Sequence, residues 1–158
     1  MHRNAELVVR AGLDRGVDVF PREFPQGTRT AADAAAAIGV ELGQIVKSLV
    51  FLVDGRPVVA LMSGSNRLDE DRLAAVAGGV KARRADANAA REATGFPIGG
   101  VPPFGHRIDV PVFVDQDLLA FGEVWAACGT PSVNFAIAPG ALVDAAGGVV
   151  CELAAPPP

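Results

Sequence analysis

The run Ile45-Val-Lys-Ser-Leu-Val-Phe-Leu-Val53, followed by Asp54-Gly55 and a second apolar run Pro57–Met62, constrains the fold more than any other part of the chain. Both runs are β-rich and apolar on both faces, so their strands must be covered on both sides. Asp-Gly suits a two-residue hairpin turn, and a hairpin joins its strands antiparallel. That argues against a purely parallel doubly wound sheet. The expected class is α/β of the α+β kind, with a mixed central sheet and helices packed around it.

Other segments place helices and short strands around this hairpin. Leu7, Val8 and Leu13 with charges between them predict a helix over Asn4–Arg15, stopped by Gly16. Val17–Phe24, bounded by Pro21 and Pro25, reads as an edge strand. Thr30 is a candidate N-cap for an alanine-rich helix ending at Gly39. Asn66–Ala77 and Ala87–Thr94 predict two more helices, with Asn66 and Asp69 as capping residues. Val110–Val114, Glu123–Ala127 and Val133–Ala138 predict strands, Pro139 opens a helix through Asp144, and Val149–Leu153 is a last strand. One domain over residues 1–153 is expected, with Ala154–Pro158 as a short disordered tail.

A chain of 158 residues, half of them hydrophobic, can build one substantial core. No apolar run approaches the roughly 20 residues of a membrane-spanning helix, and the start lacks the apolar core of a signal peptide, so a cytoplasmic location with no membrane partner is expected. Cys128 and Cys151 are expected as buried thiols rather than as a pair. The net charge of −4 argues against a surface built for duplex DNA, while leaving room for a local basic patch on an RNA end.

Lys47 is the most informative charge because it sits in an otherwise apolar strand, sharing a face with Leu49, Phe51 and Val53. Its ammonium needs an acidic partner, a group of carbonyls or an anionic ligand, unless it snorkels to water from the strand's beginning. The loop Thr94-Gly-Phe-Pro-Ile-Gly-Gly-Val-Pro-Pro-Phe-Gly-His106 alternates permissive glycines with stiff prolines, which suits either a rigid connection or fixed N–H groups presented to a ligand. His106 closes it and is either structural or able to orient a water. The serines lie in no G-x-S-x-G, and no His or Cys pair has metal-ligand spacing, so neither a covalent serine hydrolase nor a metal or other cofactor is expected. Asp115 and Asp117 read as turn residues. Lys81, Arg83 and Arg84 read as a solvated cluster, with an RNA phosphate contact as the alternative.

Five segments together resemble a known family: Thr-Arg-Thr-Ala at 28–31, Gly-Gln-Ile-Val-Lys-Ser-Leu-Val at 43–50, Ser-Gly-x-Asn-Arg-Leu-Asp at 63–69, the loop at 94–106, and Glu-Val-Trp-Ala-Ala-x-Gly-Thr-Pro at 123–131. In this order they resemble the YbaK/ProX family, which is similar to the editing domain inserted in bacterial prolyl-tRNA synthetases. His106 resembles the ProX-like subgroup. The resemblance implies a compact α+β fold and hydrolysis of the ester joining a mismatched amino acid, such as alanine or cysteine on tRNA(Pro), to the terminal ribose. It implies catalytic roles for Lys47, Gly99 and Gly100. Substrate contacts are implied at Thr28, Thr30, Ser63, Pro102, Pro103, Gly105, His106, Gly129, Thr130 and Asn134, where some members carry aspartate in place of Asn134. The implied partner is the acceptor end of an aminoacylated tRNA, with a synthetase as a second candidate.

An activated ester needs only a held carbonyl, a nearby cation and a positioned water or substrate hydroxyl, so a site without triad or metal is chemically sufficient. Phe20, Phe96, Phe104 and Leu61 are candidate walls for a small side chain. The competing reading is a module of the same fold that binds an amino acid, nucleotide or RNA end without turnover.

Overall fold

The structure, a computed structural model, describes residues 2–157. At its centre lies the expected hairpin, β2 (Val46–Val53) and β3 (Arg56–Ser63), paired antiparallel from Val46↔Ser63 to Val53↔Arg56. Asp54 (φ 49°) and Gly55 (φ 83°) both take the left-handed conformation that a tight hairpin turn requires. Asp54 also accepts the Val80 and Lys81 N–H groups, which hold its carboxyl below the usual range. In β3, Val59, Ala60, Leu61 and Met62 are wholly inaccessible, as a strand covered on both faces must be.

The hairpin is the middle of a five-stranded mixed sheet. β4 (Ala82–Arg84) pairs antiparallel with Phe51–Val53 on one side. On the other, β5 (Val112–Asp115) pairs parallel with β3, and β8 (Val149–Cys151) pairs parallel with β5. A second, three-stranded antiparallel sheet is built from β1 (Arg22–Glu23), β6 (Val124–Ala127) and β7 (Val133–Ile137), with β7 in the middle. The mixed sheet and α+β class are as expected from the sequence. The division into two sheets is not, because nothing local tells a short alternating strand which sheet it joins.

The helices are α1 (Arg3–Asp14), α2 (Ala31–Ile38), α3 (Glu70–Val76), α4 (Ala87–Thr94) and α5 (Pro139–Ala146). Thr30, Asp69 and Asp86 cap α2, α3 and α4 through side-chain oxygens that accept the N–H three residues on. Gly39, Gly95 and Gly147 end α2, α4 and α5 in the left-handed conformation. Asn66 lies four residues before α3 and caps nothing. The expected strand over Val17–Phe24 shrinks to β1, since Pro21 and Pro25 deny the ladder two donors. β4 was not expected: its two exposed arginines hide a strand at the sheet edge.

One face of the large sheet packs Val50, Val59, Leu61, Val112 and Val114 against α1, α4, α5 and the second sheet. The other packs Phe51, Val53, Ala60, Met62 and Phe113 against Leu73 of α3 and Leu153. A third cluster joins Ala34 of α2 to Phe24, Ile45 and Trp125. Phe96, Phe104 and Leu61 are part of the first core and Phe20 is 76% exposed, and none of these four lines the cleft that holds Lys47. Backbone pairing continues past the expected boundary at Leu153. Ala154 bridges Leu68, and the Ala155 N–H donates to the Arg67 carbonyl.

Both cysteines are free; burial pushes the Cys128 thiol up to about 12. Phe135, fully buried and in edge contact with Phe104 at 5.9 Å between centroids, ties the second sheet to the core. Phe135→Ala should lower unfolding stability by about 3–5 kcal/mol, measured by urea denaturation.

Candidate functional site

β4 covers only the far half of β2. The last contact between them is the Ala85 N–H donating to the Val50 carbonyl at 3.0 Å, and before Val50 that edge of β2 has no neighbour until Ile45 meets Trp125 of β6. The gap is a cleft of about 300 Å³. Its walls come from β2 itself, Arg84 of β4, Ala127 of β6, Asn134 of β7, the start of α2 with Thr28–Thr30, and the loop at Ile98, Gly99 and Val101.

The open edge carries unpaired backbone. In an antiparallel ladder, a residue's N–H and C=O point to the same side and alternate along the strand. Val50 turns its carbonyl towards β4, and Val59 opposite it donates to Pro111 beside β5, so two residues earlier Ser48 also turns its N–H and C=O to the open edge. The Ser48 hydroxyl is buried without a hydrogen-bond partner among the described residues, and Ser48 lines the cleft. A buried orphan hydroxyl costs about 1–3 kcal/mol, which a polar ligand would recover.

Lys47 is half-buried at this cleft, and its Nζ donates to the main-chain carbonyl of Asn66. This settles among the options open in the sequence: the ammonium has a carbonyl partner and also borders the cavity. Burial first, and then the Arg84 guanidinium, hold its pKa below the ordinary lysine value, while Asp115 works in the opposite direction. Arg84 pairs with Phe51 across the strands and so shares the sheet face of Lys47. The sequence leaves it between solvated surface and an RNA phosphate contact; the signal that places it at the cleft is the short strand that carries it.

Asn134 is buried at the cleft. Its Nδ2 donates to the Thr28 hydroxyl, and Thr28 donates to the Pro131 carbonyl at 2.6 Å. Thr30 lines the cleft while capping α2. Gly99 (φ 88°) sits third in a turn closed by the Gly100 N–H donating to the Pro97 carbonyl at 2.9 Å. The Gly99 N–H makes no hydrogen bond among the described residues.

Other expected site residues lie outside the cleft lining, and their contacts explain why. The Gly100 N–H is spent inside the turn, and a Cβ there would lie 2.8 Å from Thr130 Cα and 2.9 Å from the Gly129 carbonyl, so Gly100 lets two loops touch. Gly129 gives its carbonyl to Asn4 Nδ2, and Thr130 shapes the turn to Ser132. Ser63 is buried and donates to the Gly43 carbonyl at 2.7 Å. Pro102 and Pro103 are buried, and Gly105 packs against Ala11. His106 faces a separate cleft of about 250 Å³ beside Arg15 and Asp109. Its Nε2 contacts the Pro102 carbonyl at 2.7 Å, and burial lowers its pKa. These residues brace the loop rather than line the cavity.

Among the described residues no three His, Cys, Asp or Glu side chains are grouped to hold a metal, and no helix is long and apolar enough to cross a membrane. What the cleft offers is three cations, Arg29, Lys47 and Arg84, with an open strand edge, a loop N–H and an amide. Such equipment can bind and polarise an ester beside an anionic group.

That fold and cleft define an aminoacyl-tRNA editing domain, the family model that matches residues 25–145. The chain belongs to this family, the YbaK-type aminoacyl-tRNA deacylases. It is 35% identical to the uncharacterized protein YwhH of Bacillus subtilis over 122 residues, 77% of this chain and 78% of that one. It is 37% identical over 93 residues to proline–tRNA ligase of Maridesulfovibrio salexigens, matching 59% of this chain and 16% of the ligase. A crystal structure of a protein proposed as a trans-editing enzyme for prolyl tRNA synthetase superposes with a TM-score of 0.93 at 43% identity, over 99% of both chains.

Gly100→Ala should cost about 1–3 kcal/mol of stability because backbone, not a flexible side chain, blocks the added methyl; thermal unfolding checks this. Arg84→Ala removes a cation facing Lys47, so the Lys47 ammonium should titrate at higher pH than in the wild type, as read by carbon-13 NMR of the lysine ε-carbon.

Proposed function

We propose that this protein hydrolyses mischarged aminoacyl-tRNA in trans, releasing a small amino acid of the alanine or cysteine type from tRNA(Pro). The observation that carries this reading is the convergence of Lys47, Gly99, Thr28 and Asn134, from four separate segments, on one cleft at an unpaired strand edge. Two similar proteins support the substrate class. One is the proposed trans-editing enzyme for prolyl tRNA synthetase; the other, from Enterococcus faecalis, is named as a proposed Cys-tRNA(Pro)/Cys-tRNA(Cys) deacylase and is 26% identical over 125 residues.

In this reading the ester carbonyl lies between Lys47 and the Gly99 N–H. Water, oriented by the ribose hydroxyl beside the ester, attacks the carbonyl carbon and gives up its protons to the ribose oxygen and to solvent. The bond to the ribose oxygen breaks, the ribose takes a proton, and the amino acid leaves as its carboxylate. Lys47 acts as a fixed positive charge rather than a nucleophile. Asn134 offers a neutral acceptor to the amino group where an aspartate would offer a charged one. The cavity of about 300 Å³ is at the small end of ligand sites, in keeping with a small side chain.

The acceptor end needs a way out of the cleft. A neighbouring cleft of about 680 Å³ shares Lys47, Leu49 and Arg84 with the first and adds Arg67. Its Asp69 is already engaged by Arg72, leaving three cations against Glu70. The cleft on the opposite side shares only Arg29 and sets Asp33 beside it. The first route suits an RNA backbone better.

The test is deacylation of a panel of mischarged tRNAs, Ala-tRNA(Pro) and Cys-tRNA(Pro) included, by the wild type and Lys47→Ala. Release from at least one member, reduced by about 100-fold or more in the variant, is expected. No release from any member, with RNA still bound, would make the protein a binding module.

A further inference from the structure

Asp115 ends β5 and is completely buried. A carboxylate in that position must be matched by hydrogen bonds or charge. Its Oδ1 accepts from the Asp117 N–H at 3.0 Å, and its Oδ2 from the Ser63 N–H at 3.1 Å and from Asn66 Nδ2 at 2.9 Å. All three donors are neutral, and among the described residues no cation forms a salt bridge with it. Asn66 Nδ2 also reaches Asp117 Oδ2 at 2.8 Å, so two carboxylates hold one amide. The main-chain carbonyl of that same Asn66 is the acceptor for Lys47 Nζ.

Three parts of the fold are thereby joined in series: the end of β5, the connection between β3 and α3, and the open half of β2. Removing the Asp115 charge would loosen Asn66 without touching the cleft wall, since neither residue lines it. We propose that Asp115 is a positioning residue for Lys47: it fixes Asn66, and the Asn66 carbonyl in turn holds the ammonium at the floor of the cleft. Asp115 also acts on Lys47 as a compensating charge. The charged groups around Lys47 are Arg84 from β4, Asp115 from β5 with Asp117 behind Asn66, and Arg67, Asp69 and Glu70 along the neighbouring cleft. Among them Arg84 disfavours and Asp115 favours the protonated amine. Buried carboxylate, held amide and cleft ammonium form one unit, in which the first two act only through the third.

A plain structural role is the rival account, because Asp115 also caps the 3-10 turn Gln116–Ala120. The proposal rests on the deacylase reading for its kinetic arm, so the experiment has a second arm that needs no substrate. The chain has lysines only at 47 and 81, which makes the ε-carbon signals simple to assign by carbon-13 NMR. In Asp115→Asn the Lys47 midpoint should move to lower pH, because a favourable charge is gone. An unchanged or higher midpoint in a folded variant overturns the proposal, whether or not the wild type deacylates tRNA. On the substrate established by the panel, Asp115→Asn and Asn66→Ala should each lower kcat about tenfold with KM within about twofold. The double variant should be no worse than the poorer single, because both act through the same contact. Losses that multiply, or a kcat loss that vanishes once the variant is assayed well below its melting temperature, mark a structural role. Should Asp115→Asn fail to fold, Asn66→Ala carries the test, and an unchanged kcat there overturns the proposal.

Discussion

The unpaired half of β2 is the constraint on which the rest of the site depends. A strand edge in the middle of a structure is expensive to leave bare, and proteins cover it, charge it or use it. Here β4 covers one half, β6 touches the very start at Ile45, and the interval between them is lined by α2, the glycine-proline loop and the second sheet. Ser48 therefore turns both backbone groups to this edge, and its hydroxyl has no hydrogen-bond partner among the described residues. The edge gives polar directionality, while the apolar strands on either side supply the rigidity that holds it in place.

Charge in the cleft follows the same economy. Lys47 is half-buried against a neighbouring guanidinium, an arrangement that raises the free energy of the protonated amine and is tolerable only with the Asn66 carbonyl and the Asp115 field opposing it. An anionic substrate would relieve the repulsion between Lys47 and Arg84. Two neighbouring cations with one opposing carboxylate leave the cleft wall with a local positive field, which suits an anionic ligand.

In the glycine-proline loop, some of the residues that the motif singles out line the cleft and others meet the protein's own backbone. Gly99 does line the cleft with a free N–H. Gly100, Gly105 and Gly129 are there because backbone or Ala11 lies within 3 Å of where a Cβ would stand, and His106 braces the loop through the Pro102 carbonyl. Sequence patterns register that a residue type is required without saying whether a ligand or the protein's own backbone requires it. Likewise Asn66 and Asp115 read as a cap and a turn residue, since the contact joining them spans 49 positions.

By itself the sequence determined the hairpin, the Thr30 and Asp69 caps, the α+β class and the placing of Lys47 as a lone cation in an apolar strand, because these depend on neighbouring residues. The motifs, taken in order, also pointed to the family. Only the tertiary structure decided that the strands divide between two sheets, that Arg84 joins Lys47, and that Ser63 and His106 stay outside the cleft. Those outcomes depend on which distant segments meet at the open edge of β2. Local periodicity fixes the face a side chain takes on its own strand, but it carries no information about what packs against that face.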